Sequence, residues 1–258
     1  MGWDMAVVSF NSVEAWRSCN RLLGNLRDDD WSLIAPHLEY GDFSHGDVLF
    51  SEGEDVGRCY FPCDGMVASL RISDASGAVC EVCAIGREGA AGGIISHGHA
   101  PAFTSAVTAA PGPALSIATS KLEAAKRQSP SVERLFARYA DCLLAQIMQA
   151  SACNALHDVE QRIARWLLGF DDRLGGARIP VTQEALAAAL GVGRPYASRQ
   201  LKSLESKGLI KLRRGAIEIQ DRAAVERHSC TCYKSVRDHF KTVISGLYPP
   251  PPSEAQRA

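Results

Sequence analysis

Residues 181–219, VTQEALAAALGVGRPYASRQLKSLESKGLIKLRRGAIEI, leave this chain few ways to fold. Thr182 stands where its side-chain oxygen can cap a first helix. QEALAAAL follows, rich in good helix formers. Gly191 marks a sharp turn, and glycine accepts the dihedrals that such a turn needs. Ala187, four residues earlier, is small enough to let two helices approach closely. Gly193 opens a second helix, and Pro195 falls in its first turn, where a missing N–H costs little. Ala197, Leu201 and Leu204 recur at i, i+4 and i+7 and form an apolar stripe. Arg194, Ser198 and Lys202 lie on another face, with Arg199 beside them. Gly208 ends the helix. Residues 209–212 and 216–219 then alternate as strands around Arg213, Arg214 and Gly215. Helix, turn, helix and hairpin in this order form a winged helix-turn-helix, which places its second helix, here 194–206, in the DNA major groove.

Charge agrees with that pattern. From Gly191 to Arg214 there are seven basic residues (Arg194, Arg199, Lys202, Lys207, Lys211, Arg213, Arg214) and one acid, Glu205, a net of +6. Residues 157–240 hold 15 Lys and Arg against 10 Asp and Glu, and residues 1–156 hold 11 against 18. The overall charge of −1 conceals this split. A basic C-terminal third suits a polyanion, with phosphate contacts supplying most of the salt-sensitive affinity. The competing reading is a structural helical domain with a solvated basic face. The coincidence of topology, wing and charge argues against it.

A length of 258 residues leaves room for about two domains. The first 30 residues mix Trp3, Asp4, Trp16 and Arg17 with an acidic run and hold no apolar export segment. With nine cysteines, this points to a reducing compartment and a cytoplasmic protein. Residues 89–120 carry no Lys, Arg, Asp or Glu, but Pro101, Pro111, Pro113, two histidines and several glycines bar a membrane span. The tail from Tyr248, with four consecutive prolines, reads as disordered.

Residues 40–120 read as short strands punctuated by glycine, and Met66-Ala68-Leu70-Ile72 alternate with Val67-Ser69-Arg71. A small antiparallel barrel or roll is expected, preceded by short helices over 20–38. A long helical stretch without Gly or Pro follows over 131–155. On it Phe136, Tyr139, Leu143, Ile147, Ala150 and Asn154 trace a seam, with Cys142 beside it. Such a seam pairs with its own copy in a parallel dimer or packs on its own roll. A dimer would double the basic helix and require an approximately palindromic site.

A glycine-rich roll, a long helix, and DVEQRIARWLL (158–168) leading into the winged helix-turn-helix together resemble the Crp/Fnr family of bacterial transcription regulators over roughly residues 20–240. YFPCDGMVASL (60–70) and AIGREGAAGG (84–93) are similar to that family's roll turns. The resemblance implies an α+β chain. Its parts are a cyclic-nucleotide-binding-like β-roll with N-terminal helices (1–125), a dimerisation helix (126–156), a DNA-binding domain (157–245) and a tail (246–258). In the family, GxSRExVxR opens the recognition helix; here residues 191–199 read GVGRPYASR. Arg194 and Arg199 fall on the two family arginines that contact guanine edges or phosphates. Pro195 replaces the glutamate that usually accepts from cytosine, so the family's common half-site is not expected. Gly193 replaces the usual serine cap, and Thr182 matches a position that contacts phosphate. The implied DNA contacts are Thr182, Arg194, Tyr196, Ser198, Arg199, Lys202, Arg213 and Arg214. Double-stranded DNA, a second copy of the chain and RNA polymerase are the expected partners.

The resemblance weakens at the sensor end. Cyclic-nucleotide binders carry Gly-Glu-Leu and, farther on, Arg-Ser or Arg-Thr, whose glutamate and arginine hold the ribose and the cyclic phosphate. Gly93 aligns with the glutamate and Phe103-Thr104 with the arginine pair, which leaves a degenerate effector pocket. Burying a phosphate without a cation is costly, so neither cyclic AMP nor cyclic GMP is expected to act. The iron–sulfur subgroup needs an N-terminal cysteine cluster, yet only Cys19 lies in the first 58 residues.

Cys59-x3-Cys63 and Cys80-x2-Cys83 invite a zinc or cluster reading. If 79–85 is a strand, however, Cys80 and Cys83 point to opposite faces, and free cysteine is commonly a small buried hydrophobe. His97-Gly98-His99 has metal-ligand character but reads as a solvated loop without a nearby acid. Val225, Cys232, Val236 and Phe240 follow helical spacing, which packs Cys232 against the DNA-binding domain and leaves Cys230 off the stripe. A redox role for Cys230 is not favoured. There is no phosphate loop, nucleophile elbow or HExxH, so no enzyme and no cofactor are expected. The alternatives are a thiol- or metal-responsive regulator using Cys59, Cys63, Cys80 and Cys83, or a docking module that does not bind DNA.

Overall fold

A computed structural model describes residues 13–94, 101–248 and Pro252. The 97–99 histidine pair, the first twelve residues and most of the proline tail lie outside the described residues. The described residues begin with the short helices α1 (Val13–Cys19), α2 (Arg21–Gly24) and α3 (Asp28–Ile34). Asn20 caps α2 by accepting from the Leu22 and Leu23 amides, and its own amide donates to the carbonyls of Pro62 and Gly89 at 2.9 Å. One buried side chain thus fixes a helix start and ties it to the roll.

Among the described residues the roll has seven strands: β1 (Glu39–Phe43), β2 (Val48–Phe50), β3 (Arg58–Pro62), β4 (Val67–Ser73), β5 (Val79–Ile85), β6 (Ser105–Ala110) and β7 (Gly112–Ala118). They form two antiparallel sheets in the orders β1-β7-β3 and β2-β6-β4-β5. α4 (Thr119–Gln128) and the long α5 (Pro130–Leu156) follow. Next come α6 (Val159–Leu174), α7 (Gln183–Ala189), α8 (Arg194–Ser206), the hairpin β8 (Ile210–Arg213) and β9 (Ala216–Ile219), then α9 (Arg222–His228) and α10 (Cys232–Val243). The observed class is α+β, in the expected order of roll, long helix and winged helix-turn-helix.

The alternation over 66–72 does not separate buried from exposed residues. Val67 and Ser69 are as buried as Met66 and Ala68. The second face of β4 lies under α6, where Val67, Ala84 and Ala110 join Ile163 and Leu167 in one core. Two polar contacts seal this joint. Glu81 on β5 accepts from the Trp166 indole at 2.7 Å and from Ser69 Oγ at 2.6 Å. Glu88, just past β5, pairs with Arg173 of α6 at 2.7 Å, with both side chains almost wholly buried. Burial alone would depress the Arg173 guanidinium, but Glu88 beside it raises its pKa. Buried ion pairs of this kind add little net stability, yet losing one partner is severe.

The long helix corrects the predicted seam. Phe136 and Tyr139 are each 1% exposed, locked into the roll's own core with Leu22, Phe61 and Leu122. Tyr139 Oη donates to the Ala90 carbonyl, and a Cβ on Gly89 would stand 2.1 Å from that oxygen, so this approach requires glycine. Leu143 and Ile147 pack on the roll as well. Ala150 and Asn154 line a cavity against β5 and Trp166 of α6. The outward face is a second heptad stripe, with Ala137, Asp141, Leu144, Met148, Ser151 and Ala155 all exposed. Leu144 is 50% and Met148 61% exposed. Periodicity located an apolar stripe correctly and left open whether a second copy or the chain's own roll covers it; the roll does.

The stripe read through Val225 and Phe240 also divides. Val225 packs in the helix-turn-helix core, whereas Val236 and Phe240, with Ile244 and Leu247, join the core of the N-terminal roll. The last helix crosses back to the first domain.

Candidate nucleic-acid interface

The helix-turn-helix is built as its local chemistry requires. Thr182 Oγ1 accepts from the Ala185 amide at 3.0 Å and starts α7. The turn passes through Gly191 at φ +62°, and the Val192 amide closes it on the Ala187 carbonyl at 3.0 Å. α8 begins after Gly193, which supplies no side-chain cap, and has proline in its first turn. Ala197, Leu201 and Leu204 are fully buried and fix its rotation.

That rotation turns the cations outward. Arg194, Arg199 and Lys202 are exposed, as are Thr182 and Tyr196. Arg194 makes only a loose 3.7 Å exposed pair with Glu184, a contact of little energetic weight. The Arg199 guanidinium lies 5.5 Å over the Tyr196 ring, which holds it on the outer face. Ser198 differs: it is half-buried and donates to Gln183 Oε1 at 2.7 Å, so its hydroxyl joins α7 to α8. The wing turns at Gly215, φ +73°, with Arg213 and Arg214 exposed. Arg213 is steadied by Glu218 at 3.1 Å. Glu205, the one acid of the basic stretch, faces inward to accept from the Leu212 amide at 2.8 Å, which anchors the wing to α8. Arg194, Arg199, Lys202, Arg213 and Arg214 make the surface left facing out cationic.

In the roll, Gly93, Phe103 and Thr104 line one cleft of about 290 Å³, together with Phe50 and Thr119. Among the described residues that line it, Glu123 is the one ionisable group. Gly93 has φ +59°, and a Cβ there would meet the Thr119 methyl at 2.4 Å, so a glutamate does not fit. A cation does approach from beyond the 89–120 stretch. Lys126 of α4 is buried, but it donates to the Ile94 carbonyl at 2.5 Å and lies 5.0 Å from the Phe136 ring. Burial pulls its pKa down. Its ammonium is taken up by the backbone of Gly93 and Ile94 in the cleft wall, and Lys126 is not itself part of the lining.

The four-cysteine site does not assemble. Cys63 is disulfide-bonded to Cys19. Cys59 lies in the core, where burial pushes its thiol up to about 12. Cys80 faces the Ala189 carbonyl of the DNA-binding domain, while Cys83 faces Gln146 of α5. The thiols that converge are Cys153, Cys230 and Cys232, with His157 among them. The sequence pattern put Cys232 on an apolar helix stripe and Cys230 off it, and showed neither residue's partners. The available signal was Cys153 and His157 standing four apart on one helix face.

Residues 161–228 match the Crp-like helix-turn-helix domain. The chain shares its fold with FixK2 from Bradyrhizobium japonicum at a TM-score of 0.65 and 16% identity, over 75% of this chain and 98% of that one. It is similar to CLP, the c-di-GMP-responsive global regulator of Xanthomonas campestris, at a TM-score of 0.61 and 17% identity, over 76% and 100%. It is also similar to a CRP-family transcriptional regulator from Thermus thermophilus, TTHB099, at 0.62 and 19%, over 73% and 96%. A search of curated proteins found no match. The chain carries a Crp-like helix-turn-helix domain on the fold of the Crp/Fnr regulators.

Proposed function

We propose, from that fold, that this chain is a sequence-specific DNA-binding transcription regulator acting as a homodimer. The observation that carries the reading is the one-sidedness of α8: Ala197, Leu201 and Leu204 are buried while Arg194, Arg199 and Lys202 stand outward. Arg194 and Arg199 read base edges, with Tyr196 and Lys202 beside them. Thr182, Arg213 and Arg214 grip the backbone. Ser198 positions α8 on α7 and contributes to the groove through the helix it holds. The dimer forms along Ala137, Asp141, Leu144, Met148, Ser151 and Ala155, the exposed stripe of α5, and presents two recognition helices to an approximately palindromic site.

The roll supplies the regulatory input without the cyclic-nucleotide phosphate motif, since its cleft lining is apolar around Glu123. The protein works in the cytoplasm beside RNA polymerase. No helix among the described residues is long and apolar enough to cross a membrane.

Selection of random duplexes on the purified protein, followed by electrophoretic shift across a salt series, tests the reading. A symmetric enriched site and a steep fall of affinity with salt are expected. Retention without sequence preference, or none at all, would refute it.

A further inference from the structure

Cys153 and His157 stand one turn apart at the C-terminal end of α5, where His157 is the capping residue. Cys230 and Cys232 flank Thr231 in the short connection from α9 into α10. Cys153 Sγ lies 3.4 Å from Cys230 Sγ, and Cys232 Sγ lies 3.5 Å from His157 Nδ1. All four ligand atoms fall within 4.8 Å of one another. Donors on a tetrahedral Zn²⁺ at about 2.0–2.3 Å stand roughly 3.3–3.8 Å apart. The observed set closes onto that geometry with a shift of about an ångström at its widest.

The surroundings are those of a site. The three cysteines are buried and form a cluster of their own, sulfur against sulfur, apart from the large apolar cores. Gln149 Nε2 donates to Cys232 Sγ at 3.0 Å from the next turn of α5. Neighbours that hydrogen-bond ligand sulfurs are a recurrent second layer around thiolate metals. Three thiolates on a dication leave one net negative charge, and Arg165 of α6, whose Nε is buried without a hydrogen bond, supplies a cation close by. Thiolate and imidazole donors favour Zn²⁺ over the oxygen-seeking Ca²⁺ and Mg²⁺. A disulfide between Cys153 and Cys230 would leave Cys232 and His157 without a role.

We propose that Cys153, His157, Cys230 and Cys232 bind one Zn²⁺ per chain in a closed Cys₃His site. Each thiol releases its proton to solvent as it takes the metal. The ion clasps the end of the long helix to the root of α10. That root is where the DNA-binding domain hands the chain back to the roll core, so the ion holds the two domains in one arrangement. The site is independent of the DNA-binding reading.

The test uses full-length protein, reduced and stripped of metal, titrated with Co²⁺. Tetrahedral ligand-field bands with thiolate charge transfer should saturate at one equivalent and vanish when one equivalent of Zn²⁺ is added. Cys153→Ser and Cys230→Ser should each weaken Co²⁺ binding at least ~100-fold, and Gln149→Ala about 10-fold. Cys80→Ser should leave it unchanged. The wild-type titration does not depend on any variant folding. Absence of thiolate bands in the reduced wild-type protein overturns the proposal. So do bands at full strength in a Cys153→Ser/Cys230→Ser double variant. So does a Cys153–Cys230 disulfide, mapped by peptide mass spectrometry, whose reduction yields no metal binding.

Discussion

Helix α8 and the cleft beneath Phe103 differ in what a substitution can change. On α8 the fold is held by Ala197, Leu201 and Leu204, so Arg194, Arg199 and Lys202 sit on a scaffold that does not depend on them. Chemistry on that face can vary without refolding anything. In the cleft, chemistry and scaffold are the same atoms. Gly93 is glycine at positive φ with the Thr119 methyl against it, and Lys126 is committed to backbone carbonyls. The outward face carries its cations at no cost to the core. The inward site cannot take up a phosphate cradle by a single exchange.

The joint between these regions gives the largest expected effect. Glu88→Ala leaves the Arg173 guanidinium buried and unpaired, and denaturant unfolding should show a loss of about 3–5 kcal/mol. Pairing it with Arg173→Met should restore most of that loss; an equally unstable double variant would mean that Glu88 acts elsewhere. Next, Arg199→Ala should weaken specific DNA binding by ~1–3 kcal/mol and blunt base preference. Unchanged sequence choice would remove α8 from the groove. Arg213→Ala should act differently, weakening all sequences alike and lowering the salt slope by about one.

A smaller effect belongs to the roll end. Burial would raise the Asp30 carboxyl, but hydrogen bonds from Ser129, Arg27 and Ser131 outweigh it and hold Asp30 at about 2. A depressed carboxylate stabilises the fold above its unfolded pKa and loses that contribution as pH falls through the folded value. Stability should therefore drop as pH falls from about 4 towards 2, and Asp30→Asn should flatten that drop. An identical acid limb in the variant would assign the drop to other groups. Smallest of all, calorimetry with cyclic AMP should show no heat. Micromolar binding would restore to the cleft the chemistry that Gly93 and Phe103 deny it.

What the sequence made legible was local. Thr182, Gly191, Gly208 and the 197–201–204 stripe each act within one turn of the chain, and each stands where its own neighbours put it. What stayed hidden was set by distant partners. Phe136 and Tyr139 trace an apolar line whether a second copy or the chain's own roll covers it. Val67 reads as one face of an alternating strand until α6 closes over it. Cys153 and Cys230 meet across 77 residues of sequence, a separation no spacing rule spans. Lys126 likewise reaches the Ile94 carbonyl from 32 residues away, beyond the charge-free stretch 89–120.

Phe240, Ile244 and Leu247 complete the hydrophobic interior that Leu22 and Leu23 begin. During synthesis, therefore, the part of the protein that emerges first keeps its interior open until residues 240–247 have been made. Severing the chain after α5 would not liberate a self-sufficient roll; it would leave an open seam where the missing plug belongs.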